Sequence, residues 1–446
     1  MSKAISLDAG TATGAPQSAK LPPAVALPKA IQGIAFSISR RWTMRQAARR
    51  LGTVFTLDIP VFGRSVVVTD PALVKQVYTA SPDDLVNVRP NLSRVLGPGS
   101  VFGLDRAEHR NRRKLLTPPF HGKSVKNYEH IIEEETLREA ATWPEGRAFP
   151  TLEPMMRITL NVILRAVFGA EGAEFDELRR QVPRWVTLGS RMAVLPDLPR
   201  LPGRFNPWNR LAESHRTFDS IVDRLIDKAH ADPNLESRTD ILAMMLRSRY
   251  DDGAPMSRRE ISDELLTLVA AGHETTASTL AWAFERLRRH PAILADLAAE
   301  ADTGGNELRQ AVIHEVQRSR TIIDYSPRHV AAPIFELGEW RIPQGCSLFV
   351  SIVSLHENAE VFPDPQRFDP YRFMGSRPPT YKWLPFGGGA RRCIGATFAN
   401  TEMDIVLRTV LRHFVVEPTS APDEKAHSRG IGYTPKKGGL VVLHRR

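Results

Sequence analysis

Cys346 and Cys393 are the two cysteines of the chain, and the second lies in its most chemically suggestive segment. The run Phe386-Gly-Gly-Gly-Ala-Arg-Arg-Cys-Ile-Gly395 places three glycines before the thiol and two arginines beside it. Glycines allow positive φ and close backbone approach. Cys393 precedes a predicted helix over about 396–413, where amide dipoles favour a thiolate, and Arg391 and Arg392 add positive charge. Such a thiolate can serve as a nucleophile, a metal ligand or an axial ligand to haem iron. The bland alternative is a buried structural cysteine in an anion-binding turn. A dinucleotide fingerprint fits poorly, because the glycine phase is wrong. HETTA (273–277), HEVQR (314–318) and HENAE (356–360) each begin like the zinc motif HExxH but lack its second histidine. Neither GxSxG nor GxxxxGK[ST] occurs.

The elements that position these residues are mostly helices. Ser257 and Glu260 have capping-box spacing and open a helix predicted to reach His290, before Pro291. It spans roughly 50 Å and is apolar around nearly its whole circumference, so it must cross an interior or a membrane. The central His273–Glu274 argues for the interior. Glu315 and Arg318, three apart on a predicted helix over 307–320, can pair with each other. Helical patterning dominates 106–289, with breaks expected near 143–150, 195–207 and 232–239. Residues 54–70 read as a β-hairpin, and shorter strands are expected at 328–332, 339–342 and 348–353. The glycine-punctuated stretch 89–105 reads as a mobile loop with short helical pieces. Residues 1–20 are expected to be disordered, followed by one large domain over 21–446, mainly α with small peripheral β-sheets.

At 446 residues the chain can bury a large core and enclose a ligand site. Lys+Arg total 60 against Asp+Glu 50, a formal charge of +10 that favours anionic partners without a nucleic-acid-binding motif to match. Two cysteines exclude a disulfide framework or a four-thiolate zinc site and suggest a reducing, cytoplasmic setting. The apolar stretch 30–38 falls well short of a ~20-residue membrane span, leaving at most a peripheral membrane contact. The basic segment with Arg40, Arg41, Arg45, Arg49 and Arg50 reads as a helix face against solvent or an anionic surface.

Taken together, these motifs resemble the cytochrome P450 family. Phe386, Gly389, Arg391, Cys393 and Gly395 match its haem-binding pattern FxxGxxxCxG, with the usual arginine two residues before the cysteine. AGHETT (271–276) matches its oxygen-activating helix segment, Glu315–Arg318 its ExxR, and Pro365-Gln-Arg367-Phe368 its PxRF signature. The likeness covers about residues 40–444 and looks actinobacterial, even mycobacterial. It implies haem b (heme b, iron protoporphyrin IX) with Cys393 as axial ligand, shielded by Phe386. His109, Arg113, Arg391 and Arg328 would hold the propionates. Gly272 would leave room against the haem plane, and Glu274 and Thr275 would relay protons during oxygen activation. For Thr275 the alternative is a hydroxyl bonded to the carbonyl one turn back. Arg367 would join Glu315 and Arg318 in a structural network.

Substrate contacts are expected from Val101, Phe102, Trp185, Ala270, Ala271, Ile323, Tyr325 and Ile431, a set suited to a lipophilic molecule. Asp324 would either recognise a polar group or cap a turn. The resemblance implies a monomeric monooxygenase that inserts one atom of O2, fed through a separate ferredoxin and ferredoxin reductase with NAD(P)H-derived electrons. Arg106, Arg110, Arg112, Lys114, Lys123, Lys126 and Arg392 would supply the basic docking face. The alternatives are a peroxide-using peroxygenase and a non-catalytic haem-binding or ligand-sensing protein.

Overall fold

A computed structural model describes residues 18–88, 91–169, 172–193 and 206–446. Helices α1 (Lys29–Ile38) and α2 (Arg40–Leu51) lead into a hairpin of β1 (Val54–Ile59) and β2 (Gly63–Val68). These strands begin a five-stranded sheet ordered β1-β2-β5-β4-β3, where β3 is Leu85–Val86, β4 Tyr325–Val330 and β5 Ser347–Ser351. β2 and β5 run parallel, Ser65 opposite Ser347, while the other neighbours are antiparallel. Val66, Val67 and Val68 are fully buried, as β-branched residues covered on both faces should be. The sheet also brings Arg328 to the centre of the protein from a segment remote in sequence.

The helical body contains α3 (Arg106–Leu116), α4 (Leu152–Phe168), α5 (Ala173–Ala193), α6 (Pro207–Ala231), α7 (Arg258–Leu287), α8 (Glu307–Ser319) and α9 (Ala396–His413). α7 begins with the expected capping box: Ser257 and Glu260 satisfy each other's backbone N–H groups. It packs along α4 and is buried over most of its circumference. Among the described residues, no helix is long and apolar enough to cross a membrane.

Three expectations need correction. Lys20 is not part of a loose lead: it exchanges backbone hydrogen bonds with Arg341 at 3.0 and 2.8 Å. The rest of the expected disordered segment, 1–17, and most of the break at 195–207 lie outside the described residues. The described part of 89–105 is not a free loop either. Asp263 accepts from the Gly99 amide at 2.8 Å, the Ser100 and Thr267 hydroxyls meet at 2.8 Å, and Arg112 donates to the Gly99 carbonyl at 2.6 Å. Asp263 and Thr267 of α7, with Arg112 of α3, thus hold Gly99 and Ser100 in place.

The ExxR network is the third. Arg318 grips Glu315 through two bonds of 2.7 and 2.8 Å, both side chains fully buried. Its remaining donors reach the carbonyls of His356 and Arg367. Arg367 therefore contributes only its backbone, and its side chain faces solvent. The third member is instead Arg372, 3.5 Å from Glu315, in Pro370-Tyr-Arg-Phe373. The sequence repeats the PxRF pattern five residues apart, and the later copy turns inward.

Arg318→Ala leaves the Glu315 carboxylate buried with only the Asp369 amide at 2.9 Å and Arg372 at 3.5 Å. Breaking a buried pair this way costs about 3–5 kcal/mol. Denaturant unfolding followed by circular dichroism should show that loss, and a change under ~1 kcal/mol would contradict the network's role.

Candidate functional site

The segment before α9 is shaped by its glycines. Gly389 has φ +64°, and a Cβ there would lie 2.3 Å from the Tyr78 carbonyl oxygen, so a side chain is excluded on both counts. The resulting turn lets the Cys393 amide donate to the Phe386 carbonyl at 2.9 Å. Cys393 Sγ sits deep within the protein yet has accessible surface, so it opens onto internal space. Burial pushes the thiol up, while the Gly395 amide and the charges of Arg113 and Arg392 favour the thiolate. A Cβ on Gly395 would meet nothing within 4 Å. Phe386 is half-buried and stacks edgewise on Trp383 with centroids 6.3 Å apart.

Beside this turn the fold gathers four cationic or basic groups. Burial, reinforced by the charges of Arg391, Arg113 and Arg328, pushes the buried His109 imidazole down to about 3. Arg391 falls to about 10, chiefly by burial, and Arg328 and Arg113 are lowered for the same reason. Arg391 donates to the Leu104 carbonyl at 2.6 Å and to Asp105 at 2.5 Å. Arg328 donates to the Pro327 carbonyl at 2.7 Å and lies over the Tyr78 ring. Among the described residues Arg113 has no ion-pair partner. Positive charge held out of water against positive charge is costly, and an anion placed there would relieve it. Asp105 offsets part of it and went unnoticed in the sequence, where it reads as an ordinary residue before α3.

The middle of α7 also has accessible surface inside an otherwise buried helix. Ala271 is exposed and Gly272, Glu274 and Thr275 are half-exposed, in a helix buried on either side of them. A Cβ on Gly272 would make ordinary contact with Ile163 of α4 at 3.4 Å, so no neighbouring side chain or backbone requires glycine there. Thr275 donates its hydroxyl to the Ala271 carbonyl at 2.8 Å, the one-turn-back geometry, which leaves its oxygen free to accept. Glu274 is held by Arg429, Nε to Oε1 at 3.0 Å. Burial raises the Glu274 carboxyl and Arg429 opposes that rise. Arg429 lies between β6 (Ala426–Ser428) and β7 (Tyr433–Pro435), and no sequence motif marked it. Behind Thr275, burial raises the carboxyl of Glu402 on α9 well above the ordinary range, and the Thr276 hydroxyl opposes that rise.

Several expected substrate contacts are occupied elsewhere. Asp324 is buried and takes three hydrogen bonds from Arg41, the shortest 2.7 Å. Tyr325 faces the other side of the sheet, beside Phe36 and Phe349. Trp185 packs edge-to-face on Phe218 in the seam between α5 and α6. Val101 is core, with Phe102 and Ala270 packed against it. Ala271, Ile323 and Ile431 remain with accessible surface outside the hydrophobic clusters.

The basic face also contracts. Arg112 is 3% exposed, bonded to Glu264 at 2.9 Å, to Tyr250 at 2.8 Å and to Glu260. Arg106 pairs with Asp83, and Lys114 with Asp251. Arg110, Lys126 and Arg392 stay exposed, and the Lys123 side chain lies outside what is described.

The family profile described as Cytochrome P450 matches residues 23–442. Cytochrome P450 138 of Mycobacterium tuberculosis is 61% identical over 436 residues, covering 98% of this chain and 99% of the relative. Cytochrome P450 135B1 of the same organism is 37% identical over 430 residues, covering 94% and 91%. A cyanobacterial CYP120A1 with bound retinoic acid superposes with a TM-score of 0.84 at 21% identity, covering 96% of this chain and 100% of that one. A cytochrome P450, CYP102L1, gives 0.81 at 22% identity, with the same coverages. At such identities the two structures speak to the fold alone.

The contact between α3 and α7 carries a pH signature. Burial pushes Glu264 up to about 7 despite Arg112, and the neighbouring Asp263 is also raised. An unfolded glutamate ionises near ~4.3, so between ~4.3 and ~7 the folded state binds the extra proton and stability falls as pH rises. Glu264→Gln should flatten that decline, by about 1–3 kcal/mol across the window. Urea midpoints at stepped pH give the slope, and equal slopes in the two proteins would refute the assignment.

Proposed function

The chain belongs to the cytochrome P450 family, and from that premise we propose that it is a haem-thiolate monooxygenase acting on a lipophilic substrate with electrons from a separate ferredoxin system. Membership implies oxidoreductase activity and haem b with a cysteine ligand. The carrying observation is the juxtaposition of Cys393, accessible only to internal space, with the desolvated cluster of His109, Arg113, Arg328 and Arg391. That donor set fits haem b: one thiolate for the metal, and cations for two carboxylate arms.

When bound, haem b supplies the redox chemistry by which RH, O2, NAD(P)H and a proton become ROH, water and NAD(P)+. The protein's part is electrostatic and geometric. Cys393 donates the sulfur, and the Gly395 amide and nearby arginines temper its basicity. Phe386 and the surrounding turn keep water from it. On α7, Thr275 offers an acceptor oxygen and Glu274 a carboxyl that Arg429 orients, which together can hold and pass protons. Ala271, Ile323 and Ile431 leave an apolar lining that suits a lipophilic substrate. Arg110, Lys126 and Arg392 provide the exposed positive charge that an acidic ferredoxin would meet.

A screen of lipophilic compounds by Soret difference spectroscopy, followed by product analysis with ferredoxin, reductase and NADPH, tests the reading. Substrate-dependent NADPH consumption matched by hydroxylated product is expected; binding without product would leave a haem-binding sensor instead. Cys393→Ser should abolish the reduced carbon monoxide band characteristic of thiolate-ligated haem, and a folded variant that kept the band would overturn the ligand assignment.

Thr275→Ala removes a hydroxyl and a methyl without lowering helix propensity, so fold and haem spectrum should survive. Product per NADPH should fall by about tenfold or more, with peroxide making up the difference. Unchanged coupling would return Thr275 to its bond with Ala271.

A further inference from the structure

The N-terminal helices expose an apolar stripe that the reaction does not use. Of the eight large hydrophobic side chains exposed among the described residues, five fall between Leu27 and Trp42. Ile31, Ile34 and Ile38 are separated by three and four residues, so they share one face of α1, and Trp42 is exposed on α2 just past the extended Ser39. Ile34 is 60% exposed, Ile38 80% and Trp42 58%. The opposite face is already committed: Gln32 is buried and bonded to the Val25 and Leu27 carbonyls, and Phe36 packs on the cluster around Met44 and Phe55. In α2, Met44 and Ala47 turn inward.

Charge identifies the occupant. Between Asp8 and Asp58 the sequence has no acidic residue; of its cations Lys20, Lys29, Arg41 and Arg45 pair with carboxylates from elsewhere and Arg40 bonds to the C-terminal turn, which leaves Arg49 and Arg50. Arg49 lies seven residues beyond Trp42 on the same face of α2, and Arg49 and Arg50 are both exposed with no carboxylate partner among the described residues. We propose that the stripe of Leu27, Ile31, Ile34, Ile38 and Trp42 seats on an anionic phospholipid surface, its apolar side chains entering the head-group boundary and Arg49 and Arg50 meeting lipid phosphates. α1 has ten residues, about 15 Å of helix, so it lies on a bilayer of ~30 Å hydrocarbon thickness and does not span it. A second copy is the poorer occupant, because its own stripe offers no carboxylate between Asp8 and Asp58 to meet Arg49 and Arg50.

The test is flotation of the haem-loaded full chain with vesicles of phosphatidylcholine alone and of phosphatidylcholine with an equal part of phosphatidylglycerol. Binding to the anionic vesicles is expected, with brominated acyl chains quenching tryptophan emission less in Trp42→Phe. Both Ile34→Ser/Ile38→Ser and Arg49→Glu/Arg50→Glu should weaken partition by about tenfold or more, while circular dichroism and the Soret band stay unchanged. These sites are exposed, so the variants retain their core. Absence of binding, or binding indifferent to Ile34→Ser/Ile38→Ser, would overturn the proposal. A concentration-dependent dimer that Ile34→Ser/Ile38→Ser dissolves, without vesicle binding, would also overturn it and assign the stripe to a second copy.

Discussion

Positive charge withdrawn from water is the constraint on which the centre of this protein depends. Burial, reinforced by the charges of Arg391, Arg113 and Arg328, pushes the His109 imidazole down to about 3. The three arginines come from the cysteine turn, from α3 and from a strand of the five-stranded sheet, so helix and sheet must meet correctly for the cluster to exist. Repulsion and desolvation both act against that assembly. Asp105 compensates in part through Arg391. A bound dianion would complete the compensation, which ties cofactor binding to stability through the same residues.

The ExxR network answers the opposite problem. Glu315 and Arg318 are fully buried yet leave few donors or acceptors unused, since carbonyls, the Asp369 amide and Arg372 absorb the rest. A network satisfied in this way gains little net energy over apolar packing but fixes geometry. Trp383 extends that order to the cysteine turn: its indole N–H donates to the His314 carbonyl of α8 and its ring meets Phe386. The two charged systems therefore differ in purpose, one closed on itself and one open toward a ligand.

Local chemistry was legible in the sequence, and partners remote in sequence were not. The capping box fixed the start of α7, and the glycines and flanking arginines pointed to Cys393. Neither signal needs information from elsewhere in the chain. Arg372 escaped because Pro365–Phe368 and Pro370–Phe373 carry the same pattern, and only tertiary packing decides which arginine turns inward. Arg112 escaped for a similar reason: a run of basic residues in α3 reads as one solvated face until Glu264 and Tyr250 come from α7 and the segment before it to bury one member. Asp324 reads as a recogniser of a polar group or a turn cap and Tyr325 as a substrate contact, but Arg41 from α2 and Phe36 from α1 engage them.

The turn between β6 and β7 joins regions that the sequence keeps far apart. Arg40 of α2 bonds to the Ser428 hydroxyl and the Gly430 carbonyl. Ser190 of α5 takes the Ile431 amide at 3.1 Å and donates to the Arg429 carbonyl at 3.1 Å. Gly430, at φ +110°, passes so close to Ser190 that a Cβ would lie 2.3 Å from its carbonyl oxygen. Arg429 itself reaches inward to Glu274. A turn with three anchors and no room for a side chain cannot shift against one support without loading the others. The orientation of the Glu274 carboxyl thus depends on how α2 and α5 seat against the C-terminal hairpin, and not on α7 alone.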